Sequence, residues 1–342
     1  MHEPDIHVDE FHDITPARFA REIQPRAEPA VLRGAIAHWP AVAAGRAGRA
    51  RAMGYLAALS TDEPVATIVG EPGIEGRLHH AEDLREPNFE RRRMPLKELL
   101  SSLEAEVPVS TPRVLAVQGL PLSQYLPRFS SENPMTLLPD ATGRAWIGNA
   151  AKVATHNDPA ENIACVVVGR RRFTLFPPEQ IGNLYLGPFH LTPAGTQVSM
   201  VHVTKPDLAR YPRFERALQA ARVAELEPGD AVYLPYQWFH HVEALDTFNV
   251  LVNYWWNRVP AGVSGSPYDA LMHGLMSLRG LSPPQRRAWR AAFDHYVFLV
   301  DGDPGAHLPA YARGILGADS ARDLEEMRRQ ILQALGSGGR KD

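Results

Sequence analysis

Two short stretches carry side chains whose types and spacing could hold a metal. The first is His156-Asn157-Asp158. In an extended segment alternate side chains point the same way, so His156 and Asp158 face one side, and an imidazole nitrogen converges with a carboxylate oxygen. A histidine from another strand would complete a facial set of two histidines and one carboxylate. That set suits non-haem Fe(II), because adjacent coordination positions stay open for a co-substrate and O2. His-x-Asp alone is unspecific. The second stretch supplies the partner: Gly229-Asp230-Ala231-Val232-Tyr233-Leu234-Pro235 is a turn entering a strand, followed by Tyr236-Gln237-Trp238-Phe239-His240-His241-Val242. A histidine just beyond a strand, behind two aromatics, sits well at the mouth of a β-barrel. His240 is taken as the ligand. His241 then points the other way, as a satisfied core or surface histidine.

The elements that would position these residues form a β middle. Arg113–Gln118 and Arg144–Gly148 read as strands, as do Asn162–Val168 and Arg171–Phe176, two runs broken by Gly169 as in a hairpin. Glu227-Pro228-Gly229-Asp230 is a turn, Ala231–Pro235 a strand, and Phe248–Trp256 the last strand, rich in β-branched and aromatic residues. Before them the chain is mixed. Thr15 caps a helix with Pro16 at its first position, Pro29–Gly34 is a short strand, and Ala50–Leu59 and residues 96–105 are helical. After residue 260 three capping-box-like starts follow, at Ser266, Ser282 and Ser320, each opening a segment with helical apolar spacing. Leu324, Met327, Ile331 and Leu335 share one face of the last helix, and Trp289, Phe293, Tyr296 and Val297 form an apolar stripe on another. The expected organisation is a mixed N-terminal region (1–112), a β core (113–260) and a helical region (261–342).

Composition limits the alternatives. With 44% hydrophobic residues among 342, a sizeable core can be buried. The 36 basic and 39 acidic side chains leave a net charge of −3, which argues against a nucleic-acid-binding footprint. The single cysteine, Cys165, lies in an apolar run and reads as a small buried hydrophobe in a reducing compartment. The first residues lack the apolar stretch of a signal peptide, and no run reaches membrane-spanning length, so a cytoplasmic protein without membrane association is expected.

Taken together, these segments resemble the Jumonji-C family, cupin-8 branch, and within it the asparaginyl hydroxylases. The resemblance runs through His156-Asn157-Asp158-Pro159-Ala160-Glu161-Asn162, Gly169 and Phe176-Pro177-Pro178, then Gly229 to His241 and Val252-Asn253-Tyr254-Trp255. Val198-Ser199, Pro206-Asp207 and Tyr211-Pro212 are similar to the loop between the ligand strands. Val31-Leu32-Arg33-Gly34 and His38-Trp39-Pro40 are similar to the family's N-terminal part. It covers roughly residues 25 to 260.

The resemblance implies a mainly β fold with helical additions, a double-stranded β-helix (jelly roll) of cupin/JmjC type with a C-terminal helical region. It implies Fe(II), 2-oxoglutarate and O2, and hydroxylation of a C–H bond, most naturally on a protein or peptide side chain. His156, Asp158 and His240 match the metal ligands. Arg171 matches the basic residue that holds the far carboxylate of 2-oxoglutarate, where these relatives carry lysine. Arginine keeps that role through a bidentate pair, with Arg170 or Arg172 as substitutes and a solvated turn as the plain alternative. Asn162 and Asn253 match polar residues near the co-substrate, Gln118 a substrate contact and Trp255 an aromatic beside the metal. Ala116 and Val153 depart from the pattern, replacing a tyrosine and a threonine. Those departures support a competing class, a cupin-fold metal-binding protein without 2-oxoglutarate turnover. A tRNA or small-molecule hydroxylase and a zinc or manganese cupin enzyme are further alternatives. The resemblance also implies a homodimer through the C-terminal helices.

Overall fold

The computed structural model describes residues 7–193, 195–257, 266–317 and 321–336. The chain divides into two compact units, Met1–Asn257 and Arg258–Asp342.

Among its described residues the first unit is built on fourteen strands. The first six are β1 (Asp9–Phe11), β2 (Ala30–Leu32), β3 (Pro64–Gly70), β4 (Arg77–Leu78), β5 (Glu90–Pro95) and β6 (Val114–Pro121). The other eight are β7 (Gly143–Gly148), β8 (Lys152–Asn157), β9 (Glu161–Val168), β10 (Arg171–Phe176), β11 (Arg222–Leu226), β12 (Ala231–Leu234), β13 (Phe239–Ala244) and β14 (Asn249–Trp256). They form a nine-stranded sheet, β1-β2-β12-β9-β14-β7-β6-β3-β5, and a five-stranded sheet, β11-β10-β13-β8-β4. From β7 to β14 the chain passes back and forth between the two sheets, the winding of a double-stranded β-helix. Strands β3, β4 and β5, from before residue 113, extend these same sheets.

Alternation explains why the central strands read as continuous apolar runs. On β9, Ile163, Cys165 and Val167 join the core on the outer side of the large sheet, with Trp39, Leu56, Leu99 and Phe129. Ala164 and Val166 join the core between the sheets, with Phe173, Leu175, Val232, Leu234 and Leu251. A strand buried on both faces needs no polar alternation. Each fully buried large side chain contributes roughly 1.5–3 kcal/mol. Burial pushes the Cys165 thiol far above its ordinary range, so it is an inert core residue.

One expectation is corrected. β9 and β10 do not form a hairpin: β9 pairs with β12 and β14, and β10 with β11 and β13. Gly169, at φ 74°, turns the chain from one sheet to the other. The two apolar runs looked like partners because both are buried on both faces.

The second unit contains helices Pro267–Leu278, Pro283–Tyr296 and Ala321–Gly336. Ser266 caps the first, accepting from the Tyr268 amide, and Ser282 with Gln285 forms a capping box on the second. Ser320 lies outside the described residues. No helix among the described residues is long and apolar enough to cross a membrane.

Candidate metal and co-substrate site

The three side chains singled out first come together. One ligand atom from each of His156, Asp158 and His240 lies within 4.8 Å of the others, and among the described residues no other cluster of three such donors meets that spacing. His156 comes from β8 and His240 from β13, directly opposite each other in an antiparallel pair. Their ring centroids are 4.3 Å apart. Asp158 lies just past the end of β8, with Oδ2 3.7 Å from His240 Nε2.

Backbone carbonyls select the tautomer of both rings. His156 Nδ1 donates to Ala154 O at 2.8 Å, and His240 Nδ1 donates to Trp238 O at 3.1 Å. A carbonyl can only accept, so the protons sit on Nδ1 and both Nε2 lone pairs are free to bind a cation. The cavity walls strip water from His156, and with His240 beside it the ring is held below its ordinary range, which keeps it neutral. Asp158 Oδ2 is held by Trp255 Nε1 at 3.1 Å and by Asn162 Nδ2 at 3.2 Å. His241 takes the other direction from His240. It is buried and is pulled down to about 3, chiefly by burial.

A break in pleating makes this geometry. Between the pairs His240–His156 and Val242–Val153 the register shifts, so Ala154 and Thr155 oppose His241 alone. Such a bulge re-aims the side chains beyond it, and Val153 and His156, three apart, both line the cavity. The end of β8 is anchored from outside. Ser199 N donates to Thr155 O at 2.7 Å, Thr196 Oγ1 to Asn157 O at 3.0 Å, and His79 Nε2 to Ser199 O at 2.9 Å. On the other ligand strand, Gln237 holds a left-handed φ of 65° in the turn before β13, and its side chain accepts from Asn157.

The triad sits in a cavity of about 360 Å³. Phe173, Leu234 and Leu251 supply apolar wall, and Trp146 packs edge-on against Trp255 at 5.4 Å. Arg171 enters the same cavity. It is 7% exposed, its Nε is buried without a hydrogen-bond partner, and it has no ion pair among the described residues. Burial pulls its guanidinium down to about 10. Its neighbours differ. Arg170 is tied to Asp246 at 3.1 Å and Arg172 to Glu225 at 2.5 Å, both at the surface. A buried cation without a counter-charge is costly, so an anion is the natural occupant beside it. The buried Oδ1 atoms of Asn162 and Asn253 also lack partners. Two imidazoles that turn Nε2 toward a shared metal position, a carboxylate, a buried guanidinium and two amides with partnerless oxygens fit Fe(II) together with a small dicarboxylic acid.

Gln118 and Trp255 both line the cavity, and Trp255 in addition orients Asp158. Val153 lines it too, whereas Ala116 packs with Ile68, Leu78, Phe89 and Val114. Sequence reasoning passed over Ala66, Ile68 and Arg91, which reach the cavity from β3 and β5. The run Glu90-Arg91-Arg92-Arg93 carries no apolar alternation to announce a strand.

Comparison with known proteins follows the same lines. A family model described as a cupin-like domain matches residues 16–262. Over 275 residues the chain is 32% identical to the human bifunctional peptidase and (3S)-lysyl hydroxylase JMJD7, covering 71% of this chain and 81% of that protein. It is 27% identical over 274 residues to the Danio rerio tRNA wybutosine-synthesizing protein 5, covering 75% and 77%. It is 39% identical over 112 residues to the Arabidopsis thaliana lysine-specific demethylase JMJ31, which is 32% of this chain and 20% of the demethylase. The chain belongs to the cupin-like domain family, the Jumonji-C-related group that its metal-ligand motif resembles.

Proposed function

We propose that this protein is an Fe(II)- and 2-oxoglutarate-dependent dioxygenase that hydroxylates a C–H bond on a protein or peptide side chain. The observation that carries the reading is the pairing of two features in one cavity: a three-donor cluster and a buried, uncompensated Arg171. The (3S)-lysyl hydroxylase named among its relatives supports the reaction class. His156, Asp158 and His240 would hold the metal, and Arg171 the far carboxylate of the acid, with Asn162 and Asn253 satisfying polar atoms nearby. When bound, Fe(II) and 2-oxoglutarate supply the oxidising chemistry, coupling decarboxylation of the acid by O2 to hydroxylation. The protein's part is orientation and exclusion of water. Nδ1–H bonds fix the imidazoles, Trp255 and Asn162 hold the carboxylate, and apolar walls keep the pocket dry. Gln118 and Trp255 stand where a substrate side chain would approach.

The test is succinate formation by the full chain after anaerobic Fe(II) loading and addition of 2-oxoglutarate and O2. Succinate that depends on both His156 and Asp158 supports the reading. A cupin that binds metal yet makes none sinks it.

Three finer points belong to the same proposal. Residues 113–260 act as the catalytic core, 1–112 as a region packing on it, and 261–342 as a separate helical region. That last region forms a homodimer, which its exposed Trp289, Tyr296, Val297 and Phe298 support. Light scattering that returns a monomer mass overturns the dimer. The buried, unpaired Cys165 supports a reducing, cytoplasmic location.

A further inference from the structure

Several arginines of the first unit are matched to acids. Arg33 meets Glu10 and Asp230, Arg49 meets Glu104, and Arg222 meets Glu28. Besides the buried Arg171, three arginines around the cavity are not. Alternation sorts the run on β5. Arg92 shares a face with Glu90 and bonds it at 2.8 Å. Arg91 and Arg93 take the opposite face, in register with Ile68 and Ala66, two residues that line the cavity. On β7, Arg144 lies opposite Asn253 of β14 and so shares the cavity face of the sheet. Its guanidinium lies 5.9 Å from the Trp255 ring and donates to Gly119 O at 3.1 Å.

None of these three guanidinium groups has a carboxylate partner among the described residues. Arg91 reaches Pro193 O at 3.5 Å and Arg93 reaches Pro64 O at 2.8 Å. Among the described residues the one carboxylate lining the cavity is Asp158, already held by Trp255 and Asn162. The cavity therefore opens on a sheet face that carries uncompensated positive charge, separate from the buried Arg171.

We propose that Arg91, Arg93 and Arg144 select the substrate: an acidic protein segment, whose Asp or Glu side chains flank the residue that enters the cavity. This rests on the oxygenase reading for the chemistry, but not for the binding. Charges at such a rim steer and orient a partner more than they deepen its binding. Three arginines beside a narrow cavity suit a short acidic peptide. They do not make the continuous basic stripe that neutralises many phosphates, and the chain as a whole carries net charge −3.

The experiment is fluorescence anisotropy on the full chain with three labelled probes of equal length: a peptide alternating Glu and Gly, its Gln counterpart, and a polyuridine RNA. The acidic peptide is expected to bind about tenfold tighter than the Gln peptide at low salt, and to lose that margin as salt rises. Arg91→Gln, Arg93→Gln and Arg144→Gln should each weaken it several-fold, while Arg91→Lys and Arg144→Lys, which keep the charge, should largely retain it. Equal binding of the two peptides, tighter binding of the RNA, or a preference unmoved by the Gln variants would overturn the proposal. Succinate formation without any peptide reports on the oxygenase reading separately. Acidic preference without succinate sinks that reading alone, and succinate without acidic preference sinks this one alone.

Discussion

Replacing Arg171 by Met should make the ligand-free protein more stable while removing its response to 2-oxoglutarate. The guanidinium is 7% exposed and has no counter-charge among the described residues, and burial draws it from 12.5 down to about 10. That corresponds to about 3 kcal/mol against the charged form, at roughly 1.4 kcal/mol per tenfold. The sign follows from linkage. The folded protein holds this proton less tightly than the unfolded chain, and at neutral pH both states hold it, so the whole penalty opposes folding. Methionine keeps much of the length and apolar contact and removes the charge. The ligand-free melting temperature should therefore rise by roughly 5–10 °C for a unit of this size. A ligand that binds only the folded state raises stability with its concentration. 2-Oxoglutarate with Mn(II) in place of iron should thus stabilise the parent and leave Arg171→Met unmoved. Scanning calorimetry with and without the acid measures both. A variant that melts lower than the parent, or is still stabilised by 2-oxoglutarate, would refute the role of Arg171 as the anchor.

Trp255→Phe removes the indole N–H that holds Asp158 Oδ2 at 3.1 Å; metal affinity should fall roughly 10- to 100-fold, and a titration showing no change would contradict the positioning role. Gly169→Ala places a Cβ 2.3 Å from Asn249 Oδ1 and 2.7 Å from Phe248 O at a left-handed φ. It should cost at least about 2 kcal/mol in urea denaturation; an unshifted midpoint would count against the corner between the sheets. Burial holds His79 at about 4 and His241 at about 3. Because the unfolded chain takes up these protons first, stability should fall as pH drops below about 6.5 and keep falling toward 4. Urea midpoints that stay level from pH 7.5 to 5 would contradict buried neutral histidines.

How much of this was legible in the sequence depends on what each residue's neighbours impose. His156 and Asp158 could be read together because period-2 alternation acts over three residues, and His240 could be separated from His241 for the same reason. The bulge at Ala154 and Thr155 could not, because the extra residue is defined only by the partner strand. The corner at Gly169 reads as a hairpin, since a strand buried on both faces shows no pattern that says which sheet it joins. Arg171 was legible only through resemblance. Three adjacent arginines look alike until Asp246 and Glu225 claim the outer two. Strand β5 carries no strand signal because its cavity face is arginine rather than apolar.

The most direct test is an anaerobic Fe(II) titration of the parent, His240→Ala and His241→Ala. The parent and His241→Ala should each bind one Fe(II) per chain, and His240→Ala should bind far more weakly. A parent that takes up no iron, or a protein that loses its iron with His241 and keeps it without His240, would contradict the triad on which the proposed chemistry stands.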